Sequence, residues 1–326
     1  MSNWTLTNAW RQSYEKFEPR PPQARDYLWA SELGSAPIDI YHKFKGTPIT
    51  NPPNFRSFRK FDSGYVFEDL IKEVLDMTGI LTFPQTRVEY QYPGLLKVTG
   101  RLDITAGGKM DFDKARSVID SKKYSSESRK LQQKYVVECL EADYKNVDLE
   151  NIIIEVKSCS SFMMDKYEVT NKASPEHTLQ AYHYLKGTGT KEAHIIYICR
   201  NDCRMVEIPI FLGQEDVETK YMGYISLISE MVKSDQIPPL EPLIVLNESG
   251  KVGSNWKVEY SQYLSMLYGF TTPMDYRLKV DPLVGRFNRV VSRINEKKEM
   301  TADNLKAIDE MKGYGINVGL QLDKTL

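Results

Sequence analysis

Cysteine is scarce in this chain, with four in 326 residues, at positions 139, 159, 199 and 203. So few thiols in so long a chain exclude a disulfide framework and leave free, buried cysteines as the ordinary reading. Long apolar runs are missing too. Nothing approaches the roughly 20 residues that cross a bilayer, and the start, MSNWTLTNAWRQSYEKFEPRPPQ, lacks the basic beginning and short greasy stretch of a secretory signal. No membrane partner is expected, and the expected location is the cytoplasm, or a host cytoplasm for a viral chain. Charge of one sign does not dominate either, the formal net charge being -1. Any affinity for nucleic acid must therefore come from a local basic groove, because the field of the whole molecule is too weak to steer phosphate. Internal repeats and low-complexity tracts are absent. What is present is an ordinary globular composition, 41% hydrophobic, sufficient for one substantial core or a core with a helical appendage.

The spots PRPPQ and TNPPNF punctuate an irregular first 60 residues, which hold a short helical segment around ASELGSAPIDIYHKF. A clearer helix follows, with Ser63 as its cap and Phe67, Leu70, Ile71, Val74 and Leu75 as its apolar stripe. RVEYQY and LKVTGRLDIT, separated by Pro93-Gly94, alternate apolar and polar residues and read as a hairpin. Helical, strongly charged spacing runs from Met110 to about Asn146, an insertion over roughly 108–148, before NIIIEVKS returns to extended chain. Ser174 and Pro175 open another helix that Gly187 closes. AHIIYICR and RMVEIPI are strands around the Asn201-Asp202 turn, and the chain from about Glu215 onward reads as mostly helix, broken at Pro238-Pro239 and near Pro273.

The stretch NIIIEVKSCSS, at residues 151–161, carries the chemistry. Strand side chains alternate faces, so Glu155 and Lys157 point one way from the end of an apolar strand, where a charge needs a reason to sit. Asp103, in TGRLDI, lies where the second hairpin strand would neighbour that core strand. Two converging carboxylates repel unless a cation lies between them, and hard oxygen ligands suit Mg2+ or Mn2+. Glu68, at the margin of the apolar stripe, completes such a site, and the Val156 carbonyl is a further candidate ligand. The metal would activate water and neutralise phosphate charge, while Lys157, a compact point charge, holds and polarises the attacking water. Gln180 and Tyr184, one helical turn apart, share a face with His177. The glutamine amide is expected to fix a water or phosphate, and the tyrosine to contact DNA, with Arg101, Arg56 and Arg59 as further DNA-binding candidates.

The ordered set Gly64-x-x-x-Glu68, Gly100-x-x-Asp103, Glu155-x-Lys157 and Gln180-x-x-x-Tyr184 resembles the RecB-like branch of the PD-(D/E)XK nuclease superfamily. The resemblance implies an α/β fold, a central mixed sheet flanked by helices in the restriction-endonuclease-like manner, and divalent-metal-dependent cleavage of DNA. It also implies the catalytic set Asp103, Glu155, Lys157 and Gln180, and the metal set Glu68, Asp103, Glu155 and Val156. Many members carry histidine where Glu68 stands, and glutamate also binds metal. Within the superfamily the chain is similar to CRISPR-associated adaptation nucleases and other nuclease domains that hold an iron-sulfur cluster. The matching settings, SELGSAPIDIYHK and SNWKVEYSQY, have Ala36, Val258 and Ser261 in place of the cysteines. Cluster binding needs thiolates, so no iron-sulfur cluster is expected, and the two halves of chain should meet through apolar and hydrogen-bonded packing. Phage and mitochondrial genome-maintenance exonucleases, which dispense with the cluster, are equally similar.

Three weaker signals stand beside this set. Asp120-x-Lys122 is a rival acid-lysine pair, but Phe112, Ala115, Val118 and Ile119 around it repeat helically. KKYSSESRKLQQK reads as a solvated helix or as an arm over DNA. NFRSFRKF interleaves phenylalanine with cations, as a single-strand path would, although the same spacing also occurs in cores. The expectation is a nuclease domain over 1–270 and a helical extension over 271–326, acting on DNA ends or single strands in recombination, repair or replication. The alternatives are a sequence- or structure-specific endonuclease and a non-cutting DNA-binding or assembly subunit. A homo-oligomer and a recombination partner protein remain open as partners.

Overall fold

The computed structural model describes residues 5–16, 23–123, 125–247 and 250–316. In chain order the elements are α1 (Leu6–Glu15), β1 (Tyr27–Trp29), a 3-10 turn (Ala30–Glu32), α2 (Pro37–Phe44), α3 (Phe55–Met77), β2 (Leu81–Pro84), β3 (Arg87–Tyr90), β4 (Lys97–Arg101) and β5 (Ile104–Lys109). Then come α4 (Phe112–Ser121), α5 (Glu127–Tyr144), β6 (Asp148–Cys159), α6 (Ser161–Thr170), α7 (Pro175–Thr188), β7 (Glu192–Cys199), β8 (Met205–Phe211) and α8 (Glu215–Ser234). The remainder is β9 (Ile244–Leu246), β10 (Val252–Ser254), α9 (Trp256–Glu259), α10 (Leu264–Tyr268), α11 (Pro273–Asn295) and α12 (Ala302–Gly313). These elements fall into two units, one holding Asp26–Gly34 and Asn54–Glu230 with the N-terminal helix, the other Ser35–Pro53 and the chain from Met231 on.

The first unit is a mixed α/β structure. Its central sheet has the strand order β2-β5-β6-β7-β8, antiparallel except for the parallel pair β6 and β7. A parallel pair needs a crossover, and α6 and α7 supply it. The β-branched run Ile152–Ile154 makes β6 the middle strand, and side chains alternate about it. On one face Ile154 packs with Ile80, Ile104 and Ala106 beneath Ile71 and Leu75 of α3. The other face is covered by α6 and α7, where Tyr167 stacks on Tyr197 with ring centroids 3.8 Å apart. The insertion between β5 and β6 is helical, as expected, and its Phe112, Ala115, Ile119 and Val137 form a small core against Met77 at the end of α3.

Three local expectations change in this unit. LKVTGRLDIT is two strands instead of one: β4 pairs with β3 and β1 in a separate sheet, and the chain crosses at Leu102 and Asp103 to enter the central sheet as β5. Alternation could not reveal the crossing, because Val98, Leu102 and Ile104 are all buried on either side of it. The helix placed after Ser63 begins instead at Phe55, with Asn54 accepting from the Ser57 amide at 3.2 Å, while the Ser63 hydroxyl turns back to the Lys60 carbonyl. Ser174 and Pro175 do open α7, with Ser174 Oγ accepting from the His177 amide. The helix closes instead at left-handed Gly189, while Gly187 stays within it and lies against Val88, where a Cβ would approach Cγ1 to 2.3 Å.

In the second unit, Tyr276, Val280, Phe287, Val290 and Val291 of α11 pack with Val258, Leu264 and Met311. Ile244–Leu246 and Val252–Ser254, expected within a mostly helical region, pair as the antiparallel strands β9 and β10. The two stretches in which cysteines are replaced do meet: buried Asp39 accepts from the Ser261 hydroxyl at 2.8 Å and from the Gln262 amide at 3.3 Å. Among the described residues, no helix is long and apolar enough to cross a membrane.

Candidate active site

Strand β5 starts at Ile104, which pairs with Ile154, so β6 continues past its neighbour. Asp103 fills the vacated place: its Oδ2 accepts the Val156 amide at 3.0 Å. In an extended strand the N–H and C=O of one residue leave the same side of the backbone. The Val156 carbonyl therefore faces the same gap, beside the Asp103 carboxylate. On the α7 side of β6, Glu155 is 0% exposed. Its Oε1 accepts from Lys157 Nζ at 2.5 Å and from Gln180 Nε2 at 2.7 Å. Its Oε2 is buried without a hydrogen-bond partner. A buried carboxylate oxygen left unmatched is costly, and a bound cation or a proton relieves that cost.

The electrostatics follow from this crowding. Burial first, then the charge of Glu155, push the Asp103 carboxyl up to about 8, against the pull of Lys157 and the Val156 amide. Burial also raises Glu155, partly opposed by Lys157 and reinforced by Glu68. Burial alone would lower Lys157, but Glu155 and Asp103 outweigh it and raise its pKa, so it stays an ammonium at neutral pH.

Glu68 comes from α3 and is 7% exposed. Its Oε1 takes Lys72 Nζ at 2.6 Å and a hydrogen bond from Gln85 Nε2. Gln85 sits in a left-handed conformation (φ 56°), unusual for a side-chain-bearing residue, and its own amide donates to the Asp103 carbonyl at 3.0 Å. One residue thus ties together the segments carrying two of the candidate ligands. Lys72 was legible as the i+4 partner of Glu68, whereas nothing in the sequence pattern around Gln85 announces its backbone angle. Among the described residues, no three His, Cys, Asp or Glu side chains stand as a finished metal cluster. What the site offers is the unmatched Glu155 Oε2, the Asp103 carboxylate and the Val156 carbonyl. Those are oxygen donors of the kind hard divalent cations take, with Glu68 held nearby.

Tyr184, expected to touch DNA, is 1% exposed and stands behind the site instead. Its hydroxyl donates to the Arg101 carbonyl at 3.0 Å and accepts from Gln180 Nε2 at 3.1 Å. Gly100 makes room for it: a Cβ there would lie 2.8 Å from Tyr184 Cε1 and 2.7 Å from Ala30 Cβ. Gly64, by contrast, has nothing within 4 Å of a built Cβ. Arg101 and Arg59 are exposed, and the side chain of Arg56 lies outside the described residues. His177 and His183 make hydrogen bonds to Tyr197 and Tyr221, each at 2.9 Å. Burial lowers both, His177 to about 3 with help from the Lys157 charge and His183 to about 4. The rival pair stands apart from the strand end: Asp120 is bound to Lys134 at 2.7 Å, and Lys122 to Glu73 and Gln133.

No family model matches the chain, and no curated protein matches it. Among solved structures it is similar to the crystal structure of SSO0001, at 13% identity over 82% of this chain and 98% of that one, with a TM-score of 0.45. It is also similar to an alkaline exonuclease, LHK-Exo, from Laribacter hongkongensis, at 10% identity over 70% and 96% of the two chains with a TM-score of 0.38. A phage-related exonuclease from Haemophilus somnus 129PT matches at 13% identity over 64% and 94%, with a TM-score of 0.29. At these distances the chemistry rests on the residues of this chain.

Proposed function

We propose that this chain is a divalent-metal-dependent deoxyribonuclease of the RecB-like kind, removing nucleotides from DNA ends or single strands. One observation carries the reading: a fully buried glutamate at a strand end, one oxygen held by Lys157 and Gln180 and the other unmatched, beside an aspartate whose carboxyl burial and repulsion hold far above its usual range. Asp103, Glu155 and the Val156 carbonyl would hold Mg2+ or Mn2+, with Glu68 as a further ligand. When bound, the ion lowers the pKa of a water and offsets phosphate charge. Lys157, charged and partly accessible, holds that water and the phosphate as a cation; its raised pKa makes it a poor base. Gln180 occupies Glu155 Oε1 and so leaves Oε2 for the ion, and Tyr184 props Gln180 against the Arg101 carbonyl. Roles in recombination, repair or replication and a cytoplasmic location belong to the same proposal.

One observation favours a non-cutting assembly protein instead: Glu68 is already engaged by Lys72 and Gln85. End-labelled linear and closed circular DNA, incubated with purified protein in Mg2+, Mn2+ or chelator, separates the readings. Release of nucleotides from linear ends in metal alone, with circles spared and with Lys157→Ala inactive but folded, is the expected result. Opened circles point to an endonuclease. Protein that binds DNA in metal yet leaves every substrate whole supports the assembly reading.

A further inference from the structure

Strand β6 runs on to Cys159, whereas its pairing with β5 ends at Ile154, so among the described residues no strand covers that edge beyond Ile154. Backbone groups of alternate residues in a strand share an edge. On the β7 edge the Cys159 carbonyl accepts the Arg200 amide at 2.9 Å, so Ser158, like Val156, faces the uncovered edge. Asp103 meets Val156 there. Arg200 meets Ser158: its Nη1 donates to the Ser158 carbonyl and to the Ser158 hydroxyl, at 3.0 Å each. Arg200 belongs to the turn after β7, so its side chain crosses the end of β6 to an edge its own backbone does not face. The carbonyl it holds is about 7 Å, two residues of strand rise, from the Val156 carbonyl of the candidate metal site.

Capping one residue occupies one nitrogen. Nε and Nη2 of Arg200 make no hydrogen bond among the described residues, and neither is buried without a partner, so both are open to solvent. The second arginine of the same turn behaves differently. Arg204 gathers Asp165, Glu168 and Asp202 at 2.9, 2.6 and 2.9 Å, while Arg200 pairs with no carboxylate among the described residues. With three carboxylates against one guanidinium, the Arg204 cluster has nothing to offer a phosphate, which leaves Arg200 as the contact this turn can make. A guanidinium anchored at one nitrogen, with its other donors open and no counter-ion, matches an anion that accepts two parallel hydrogen bonds, as phosphate does. A base or a sugar would leave its charge unanswered.

We infer that Arg200 is a substrate-binding residue whose guanidinium holds a backbone phosphate of the DNA strand at the uncovered edge of β6, beside the candidate metal ligands. This deepens the nuclease reading and rests on it for the identity of the ligand.

The test removes one backbone charge at a time. Labelled oligonucleotides, each with a single methylphosphonate at a different position near an end, are titrated by anisotropy in chelator and cut under single-turnover conditions in Mg2+. The full chain is compared with Arg200→Gln and Arg200→Lys. Losing a charge-assisted contact should weaken binding of unmodified DNA by Arg200→Gln about 10- to 100-fold. The slope of log Kd against log salt concentration should fall by about 0.7 to 1. In Mg2+ the half-saturating DNA concentration should rise by the same factor, with the rate at saturation changed less. Arg200→Lys, which keeps the charge and a donor for Ser158 but loses the fork, should lie between the two. It carries the same comparison if Arg200→Gln melts at a lower temperature. One methylphosphonate position should cost the unsubstituted protein this factor and cost Arg200→Gln nothing more. A lower saturated rate with an unchanged salt slope, and every methylphosphonate equally costly in both proteins, would mean that Arg200 only caps Ser158 and overturns the inference. Cutting keeps the two proposals apart. Protein that cuts, but in which no phosphate position depends on Arg200, sinks the inference alone. Protein that never cuts, yet shows that dependence in binding, sinks the nuclease reading and upholds Arg200. Protein that neither binds nor cuts sinks both.

Discussion

Replacing Gly100 with alanine would put a methyl group 2.7 Å from Ala30 Cβ, 2.8 Å from Tyr184 Cε1 and 2.9 Å from the Tyr184 hydroxyl. The Gly100 backbone is an ordinary strand paired with Val88, so the demand is for space and not for an unusual angle. None of the three neighbours yields freely. Ala30 Cβ moves only with its backbone, and the Tyr184 ring is pinned by hydrogen bonds to Gln180 and to the carbonyl of Arg101, the residue after Gly100. Overpacking of this kind costs about 1–3 kcal/mol, which for a folded unit of this size lowers the melting temperature by roughly 2–12 °C. Turnover should fall further than stability, because displacing Tyr184 moves Gln180 and with it Glu155, and a shift near 1 Å in such a constellation costs about 100-fold. Thermal unfolding and single-turnover cleavage are measured for Gly100→Ala, Tyr184→Ala and the double variant. In the Tyr184→Ala background two of the three contacts are gone, so the further cost of Gly100→Ala should shrink by at least about 0.5 kcal/mol. A Gly100→Ala protein with unchanged melting and turnover, or an identical cost in both backgrounds, would refute the account of Gly100 as the space for Tyr184.

Two further outcomes follow from the carboxylates. Asp103 is raised from 3.8 to about 8, so between those values the folded chain keeps a proton that the unfolded chain has released. The metal-free stability from this group is therefore full below about pH 4 and lost as pH rises through 8, at up to about 1.4 kcal/mol per pH unit. Melting temperatures should fall across that window in chelator, fall less in Asp103→Asn, and be restored by Mg2+ at pH 8 far more than at pH 5; a parallel fall in both proteins counts against it. Gln85→Gly keeps the left-handed backbone and removes the amide that holds Glu68. It should raise the Mg2+ concentration needed for half-maximal cleavage by about 10-fold, and an unchanged metal titration would show that Gln85 does not position a ligand.

How much was legible beforehand depended on how local the cause was. The sequence by itself pointed to β6, because three consecutive β-branched isoleucines favour extended chain over helix. It also determined the opening of α7, where Ser174 and Pro175 act within one turn. The hairpin pattern placed Asp103 beside β6 for a different reason: the hairpin strand β4 pairs with β3 and β1 in a separate sheet, and Asp103 meets the Val156 amide only at the crossing into β5. Tertiary structure alone decided the rest. It moved the chain from one sheet to another at Leu102, where the alternation of apolar and polar residues in the sequence continues unchanged across the crossing. It turned Tyr184 inward, since the face a helix residue presents depends on what packs against it, here the space left by Gly100. And it set Gln85 at a positive φ between Glu68 and Asp103, an arrangement stabilised by partners distant in the chain. Caps and periodicities act over a few residues and can be read in order, whereas burial, sheet membership and strained backbone are fixed by neighbours that only folding brings together.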